Sequence, residues 1–456
     1  MKRIFFAFFF LIYGVFVFAQ REALEKAFQK FENDAQLKNA LSSLYVVDTK
    51  TGKMIFDKNS TIGLAPGSTQ KIVTSAAAYE LLGRNFRYKT EFGLITENGE
   101  ASLYVKPSGD PTLGSERWDN TKDKNVLGRL LKAYKANASG ISKIYIDTAG
   151  WNYEIIPDGW IWQDIGNYFG AGADVLNWKE NQFDLFLKSG TSVGSRVEIV
   201  GTEPSLYSYK ITSLATAGPK GSGDNSYIYF PSNGASAVIR GTIPIGENRF
   251  KVSGAMPDVK KQFGQAVLES LSSSKNNATF SDKIITVEAP KNFKLIHTEN
   301  SPSLDSIIYW LNKKSINLFA EALVKTIGFQ KANAGSTENG AELIKQFWKS
   351  KGIDERALNI LDGSGLSPSN RITTQALVAV LLYAKKQPWY KGFYNSLPEF
   401  NGIKMKSGTI KDVKGFAGYH TSGKGVEYAF SFLVNNYNGP TSSLAQKMYQ
   451  VLNELK

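Results

Sequence analysis

The chain changes texture twice along its length, and this limits its fold more than any single motif. From about residue 89 to 285 short β-like runs alternate with Gly, Ser, Asn and Pro; examples are Lys143–Asp147, Ser195–Val200, Tyr227–Phe230 and Ala237–Ile243. Before that stretch lie an amphipathic helix pattern over 21–38 and a hairpin pattern, Leu44–Asp48 and Met54–Asp57 about a glycine turn. After it come helical patterns at Leu304–Lys325, Glu338–Trp348 and Thr374–Lys385. Three strand-like runs follow, Gly402–Lys406, Val413–His420 and Tyr428–Asn435, and a final helix, Ser442–Leu455, closes the chain. Matching textures at both ends predict one α+β domain, an antiparallel sheet with helices, interrupted by a mostly β insertion of one or two domains. The expected boundaries are 20–88 and 286–456 for the outer domain, 89–182 and 246–285 for an inserted domain, and 183–245 for a third nested in it.

With 456 residues the chain is long enough for several cores, and 42% hydrophobic with 21% charged residues is a globular balance. Lys2 and Arg3 precede an uncharged apolar run from Ile4 to Phe18, and Val17-Phe18-Ala19 has the small-residue form of a cleavage site. Residues 1–19 therefore read as a removed secretory signal, which predicts a secreted, periplasmic protein; the run is short of the roughly 20 residues that span a bilayer. There is no cysteine, and the only histidines are His297 and His420. Disulfides and thiolate metal sites are excluded, and no metal or other cofactor is expected. The formal net charge of +13 is spread along the chain, which suits a solvated basic surface or attraction to an anionic cell envelope. No basic cluster or binding module points to nucleic acid.

Chemistry must then come from hydroxyls, amines and carboxylates. Ser68-Thr69-Gln70-Lys71 stands where a turn, Leu64-Ala65-Pro66-Gly67, meets a run of small and apolar residues ending at Gly83. At i and i+3 on one helix face the Lys71 amine can reach the Ser68 hydroxyl, and helix-terminal N–H groups favour an oxyanion there. A serine needs such a base, and lysine serves where burial and nearby cations lower its pKa. The pattern alone is weak, because Ser272-Ser273-Ser274-Lys275 also matches it, in a polar run that reads as a surface loop. Ser315-Ile316-Asn317 sets a hydroxyl beside an amide before a helix, although, taken alone, these residues are better explained by an ordinary helix N-terminus capped by serine. Lys406-Ser407-Gly408-Thr409 ends a strand-like run, where lysine and hydroxyls can bind a carboxylate and Gly408 admits close backbone approach.

In this order, S-x-x-K, S-x-N and K-[ST]-G are the motif set of penicillin-binding proteins and class A β-lactamases. The chain resembles the low-molecular-mass class C penicillin-binding proteins, the penicillin-binding protein 4 type D-alanyl-D-alanine carboxypeptidase/endopeptidases, over nearly its whole mature length. Ser108-Gly109-Asp110-Pro111-Thr112-Leu113, Ser315–Glu321 with its asparagine-leucine start, Asp362-Gly363-Ser364-Gly365-Leu366-Ser367 and Gly415–Tyr419 match further signatures of that family, and it carries insertions between its first two motifs.

The resemblance implies a serine β-lactamase/DD-peptidase-like fold and an acyl-enzyme mechanism. It makes Ser68 the nucleophile on the D-Ala-D-Ala carbonyl, Lys71 its base, Ser315 the proton relay to the leaving D-alanine and Asn317 the group positioning Lys71 and the peptide amide. Lys406 keeps Lys71 neutral and adds positive field; the Ser407 and Thr409 hydroxyls bind the terminal carboxylate; the N–H groups of Ser68 and Thr409 form the oxyanion hole. Peptidoglycan stem peptides and cross-links are the implied substrates, and β-lactams covalent inhibitors. Three departures stand out: Gly67 replaces the usual alanine, Ser407 replaces the commoner threonine, and Pro368 stands where relatives often carry an arginine that recognises a diaminopimelate side chain. Asp164 matches the acidic residue that holds the amine of that side chain, and Arg371 is a candidate substitute for the missing arginine.

Two rival readings follow from the same residues. Glu355-Arg356-Ala357-Leu358-Asn359 fits the E-x-x-L-N loop with which class A β-lactamases deacylate. A non-catalytic peptidoglycan-binding scaffold would keep the fold without needing every reactive side chain.

Overall fold

The computed structural model describes residues 20–138, 140–207, 209–231, 236–271, 281–288 and 292–456. The signal expected over 1–19 and the second S-x-x-K match, Ser272-Ser273-Ser274-Lys275, lie outside these residues. Two compact units emerge, each assembled from distant parts of the chain: Met1–Leu81, Ile308–Ser315 and Ala341–Lys456 form the first, and Leu82–Ile307 with Ile316–Gly340 the second. Against the boundaries read from sequence, the first division falls earlier than 88/89 and the return later than 285/286. The segment after Ser315, expected in the outer domain, clusters with the second unit.

The first unit is built on a six-stranded antiparallel sheet in the order Glu399–Phe400, Ile403–Ile410, Val413–Thr421, Glu427–Asn435, Leu41–Asp48, Met54–Lys58. The amino-terminal hairpin thus joins the carboxy-terminal meander, with Leu41 opposite Asn435 and Asp48 opposite Tyr428. Glu427–Asn435 is buried along nearly its whole length rather than at alternate positions, as a strand covered on both faces should be. One face packs Leu44, Val46, Phe416, Phe430 and Phe432 against Phe28 and Phe31 of the helix 20–32 and Leu444 and Met448 of the helix Thr441–Asn453. Each fully buried side chain of this kind contributes about 1.5–3 kcal/mol. Ile72, Val73 and Ala76–Ala78 of the helix Lys71–Leu82 are completely buried, and with Lys71, Thr74 and Ser75 also buried this helix is enclosed on every side.

The second unit contains a five-stranded mixed sheet, Ile284–Val287, Ile144–Asp147, Glu100–Lys106, Lys89–Glu97, Lys294–Asn300. Two helices, Asp123–Lys135 and Val259–Leu271, pack on it through Val126, Leu130, Tyr134, Phe263 and Val267. The region is therefore less purely β than its sequence pattern predicts. A smaller module with its own core, including Phe183, Leu185, Ile228, Ile239 and Val252, joins a three-stranded and a four-stranded sheet. Its strand Phe250–Ala255 pairs with Gln182–Ser189, so the module runs past residue 245.

Asp110, within the Ser108–Leu113 signature, is 3% exposed and accepts bonds from Thr112 N at 2.8 Å and Thr112 Oγ1 at 2.7 Å. Burial nonetheless pushes its pKa up to about 6. Between the ordinary carboxylate value and 6 the folded chain holds a proton that the unfolded chain releases, so this group makes stability fall as pH rises through that window. Asp110→Asn should therefore gain on the parent between pH 4 and pH 8 by about 2–3 kcal/mol. Denaturant titrations of both proteins at the two pH values check this; an equal difference at both would exclude it.

Candidate active site

A 3-10 turn, Gly67–Gln70, leads into the helix Lys71–Leu82 and carries Ser68. From Leu64 to Gln70 every residue is buried except Ser68, which is half-buried. The preceding loop is pinned to the sheet by Asn435, whose side chain accepts from Ala65 N at 2.8 Å and donates to Ala65 O at 3.1 Å. Lys71, with no exposed surface, points its Nζ to within 3.0 Å of Ser68 Oγ. The same amine donates to Ser364 O at 2.8 Å.

That carbonyl belongs to a loop wound around one carboxylate. Asp362 accepts from Gln70 Nε2 at 2.9 Å, Gly365 N at 2.8 Å, Ser367 N at 2.7 Å and Asn370 Nδ2 at 3.0 Å. Thr74 Oγ1, one turn along the helix from Gln70, donates to Gly363 O at 2.7 Å. The family signature Asp362–Ser367 was legible in the sequence, but its task of holding the Lys71 amine was not.

The strand Ile403–Ile410 brings the third motif to the same turn. Gly408 is in contact with it so closely that a Cβ there would run into Pro66 O and lie 3.0 Å from Ser68 N. Gly67 has φ +50°, and a Cβ on it would stand 2.9 Å from Thr409 N. Glycine in place of alanine thus relieves a left-handed backbone conformation and a crowded contact together. The N–H groups of Ser68 and Thr409 are brought to neighbouring positions by this packing.

Lys406, 1% exposed, donates from Nζ to Ser315 Oγ at 2.8 Å and to Ser407 O at 2.8 Å. Its pKa lies well below the usual lysine value, first because of burial and then because of the Lys71 and Lys414 charges. Two buried ammonium groups in one site repel, so the pair resists holding both protons. Ser315 ends the helix Leu304–Lys314 with φ +57°, a left-handed conformation that costs serine about 1–3 kcal/mol. The next helix, Asn317–Ala332, starts after Ile316 without a side-chain cap, so the serine-cap reading does not describe this junction. One turn before Ser315, Asn312 Nδ2 donates to Ser396 Oγ at 2.9 Å and Ser75 Oγ at 3.3 Å, tying this helix to the one that carries Lys71.

The first unit therefore brings together Ser68, Lys71, Ser315, Lys406, Ser407, Gly408 and Thr409. Asn317 and Asp164 belong to the second unit. There Asn317 Nδ2 donates to Phe169 O at 2.7 Å, and burial raises the pKa of Asp164 to about 6. Arg371 is exposed and holds its own loop, donating to Pro368 O at 2.5 Å and Asn370 O at 2.7 Å. Glu355 is exposed as well and pairs with Lys349 at 2.7 Å, a surface ion pair and not a base beside the nucleophile.

Comparison with known families matches residues 24–399 to the D-Ala-D-Ala carboxypeptidase 3 (S13) family. The chain belongs to this family. It is a serine-type peptidase. A D-alanyl-D-alanine carboxypeptidase of Actinomadura sp. (strain R39) is 26% identical, over 91% of this chain and 81% of that one. The D-alanyl-D-alanine carboxypeptidase DacB of Haemophilus influenzae is 24% identical, over 85% and 83%. Penicillin-binding protein 4 of Haemophilus influenzae has the same fold, with a TM-score of 0.78 at 21% identity over 94% of this chain and 98% of that one.

Proposed function

We propose that this S13 peptidase is exported and cleaves peptidoglycan stem peptides and their cross-links through an acyl-enzyme on Ser68. The observation that carries the reading is the 3.0 Å approach of the buried Lys71 amine to Ser68 Oγ. As the Ser68 oxygen attacks the D-Ala-D-Ala carbonyl, its proton passes to Lys71. The developing oxyanion is met by the N–H groups of Ser68 and Thr409, each donor worth about 3–4 kcal/mol in sites of this type. Ser315, fixed by Lys406, relays that proton from Lys71 to the departing amine. Water then attacks the ester carbonyl and gives a proton to Lys71, which returns it to Ser68 Oγ as the ester bond breaks. Free D-alanine and a cross-linked side chain depart by the same steps, so carboxypeptidase and endopeptidase action share one site.

β-Lactams present a strained amide to the same hydroxyl and are proposed as covalent inhibitors; the Haemophilus influenzae protein has been seen complexed with a β-lactam, in the same fold at a TM-score of 0.73. Export is supported by the sequence pattern of residues 1–19, and the basic charge suits peripheral association with an anionic envelope. Incubating the purified protein with defined monomeric and cross-linked muropeptides tests the reading. Release of D-alanine or cleavage of the cross-link, blocked by prior exposure to penicillin, is expected. Inert muropeptides together with absent penicillin labelling would overturn it in favour of a scaffold, and rapid turnover of penicillin would favour a β-lactamase.

A further inference from the structure

Three lysines gather around the nucleophile turn and the lysine-bearing strand, and the roles above use only two. Lys414 is on the adjacent strand Val413–Thr421, opposite Thr409 in the register. Its Nζ donates to Thr409 Oγ1 at 2.9 Å and lies over the Phe416 ring, 4.8 Å from the centroid. Among the described residues no carboxylate forms an ion pair with Lys406 or Lys414. Burial lowers the Lys414 pKa to about 8, which leaves the ammonium charged at neutral pH. The Lys414 ammonium at this hairpin tip, with no carboxylate paired to it among the described residues, is ready for an anion brought by the ligand.

We propose that Lys414 is a positioning residue for recognition of the substrate's free terminal carboxylate. By occupying a lone pair of Thr409 Oγ1 it turns the hydroxyl proton outward as a donor, and its charge strengthens that donor toward a carboxylate. The inference rests on the reading that Thr409 meets this carboxylate, and it adds a selectivity that the two hydroxyls alone do not have. A neutral ligand end gains little from Lys414, whereas an anionic end gains a charge-assisted contact. A lysine that merely braced the hairpin through Phe416 would not tell the two apart.

The test compares the second-order acylation rate constants of benzylpenicillin, which carries a carboxylate, and of its methyl ester, which does not. These are measured for the parent, Lys414→Gln and Lys414→Arg. Loss of one charge-assisted contact should slow acylation of Lys414→Gln by the acid about tenfold, change the ester rate less than about twofold, and be largely restored in Lys414→Arg. Equal slowing with acid and ester would assign Lys414 a structural role and overturn the proposal. Unchanged rates with both would overturn it as well. A parent that reacts with neither compound would instead remove the Ser68 reading, and this inference with it.

Discussion

Ser68→Ala is expected to abolish covalent capture of fluorescent penicillin and to cut D-alanine release by about a million-fold, the scale seen when a serine hydrolase loses its nucleophile. The effect should be confined to chemistry. Ser68 is half-buried and its side chain meets only the site, while Lys71 keeps its bond to Ser364 O at 2.8 Å and the Asp362 loop keeps all of its own. Thermal stability should therefore change little, as for most substitutions away from the core. What activity remains would come from donors that still polarise the carbonyl for direct attack by water. Gel fluorescence after penicillin labelling, beside a melting curve, makes the measurement. A labelled Ser68→Ala protein would sink the assignment and turn attention to Ser272, whose variant is the natural control.

Much of this site could be read from the chain because its chemistry depends on side chains at short, fixed spacings. Ser68 and Lys71 are one helical turn apart, and the Lys406–Thr409 segment lies on one strand, so local geometry carries both motifs. What stayed hidden depends on backbone or on distance. Ser364 contributes a carbonyl, which any residue could supply, and nothing in S-x-N announces the positive φ of Ser315. The pairing of Leu41–Asp48 with Glu427–Asn435 joins segments nearly 400 positions apart, and strand patterns alone specify no partner. In the second unit, Val126, Leu130 and Tyr134 do repeat at helical spacing, but lysines crowd the same thirteen residues and dilute the signal. The continuous pattern over Leu304–Lys325 concealed the opposite case, two helices interrupted at Ser315. Lys414 carries no motif of its own, and only the hairpin register sets it across from Thr409.

Lys71→Met separates the base from its surroundings and is expected to slow acylation by about a thousand- to ten-thousand-fold, the upper range for a positioned general base. Methionine fills nearly the same volume but donates nothing, so Ser364 O is left buried without this partner and the fold should lose about 1–3 kcal/mol. That loss would complicate the reading if the variant stood alone. Lys71→Arg resolves it, because a guanidinium supplies donors and a permanent positive charge yet cannot take a proton at any working pH. If Lys71 acts by accepting the Ser68 proton, arginine fails as badly as methionine. If it acts only as a fixed cation, arginine recovers more than about a tenth of the parent rate, and the proposed base is lost. The neighbouring lysine gives a second readout, since the Lys71 charge is one of the causes that depress Lys406. Lys406 should therefore titrate higher in Lys71→Met, which carries no charge there, than in Lys71→Arg, which always does. A titration of Lys406 by isotope-labelled lysine NMR that finds the same value in both variants would mean that the two amines do not share one field.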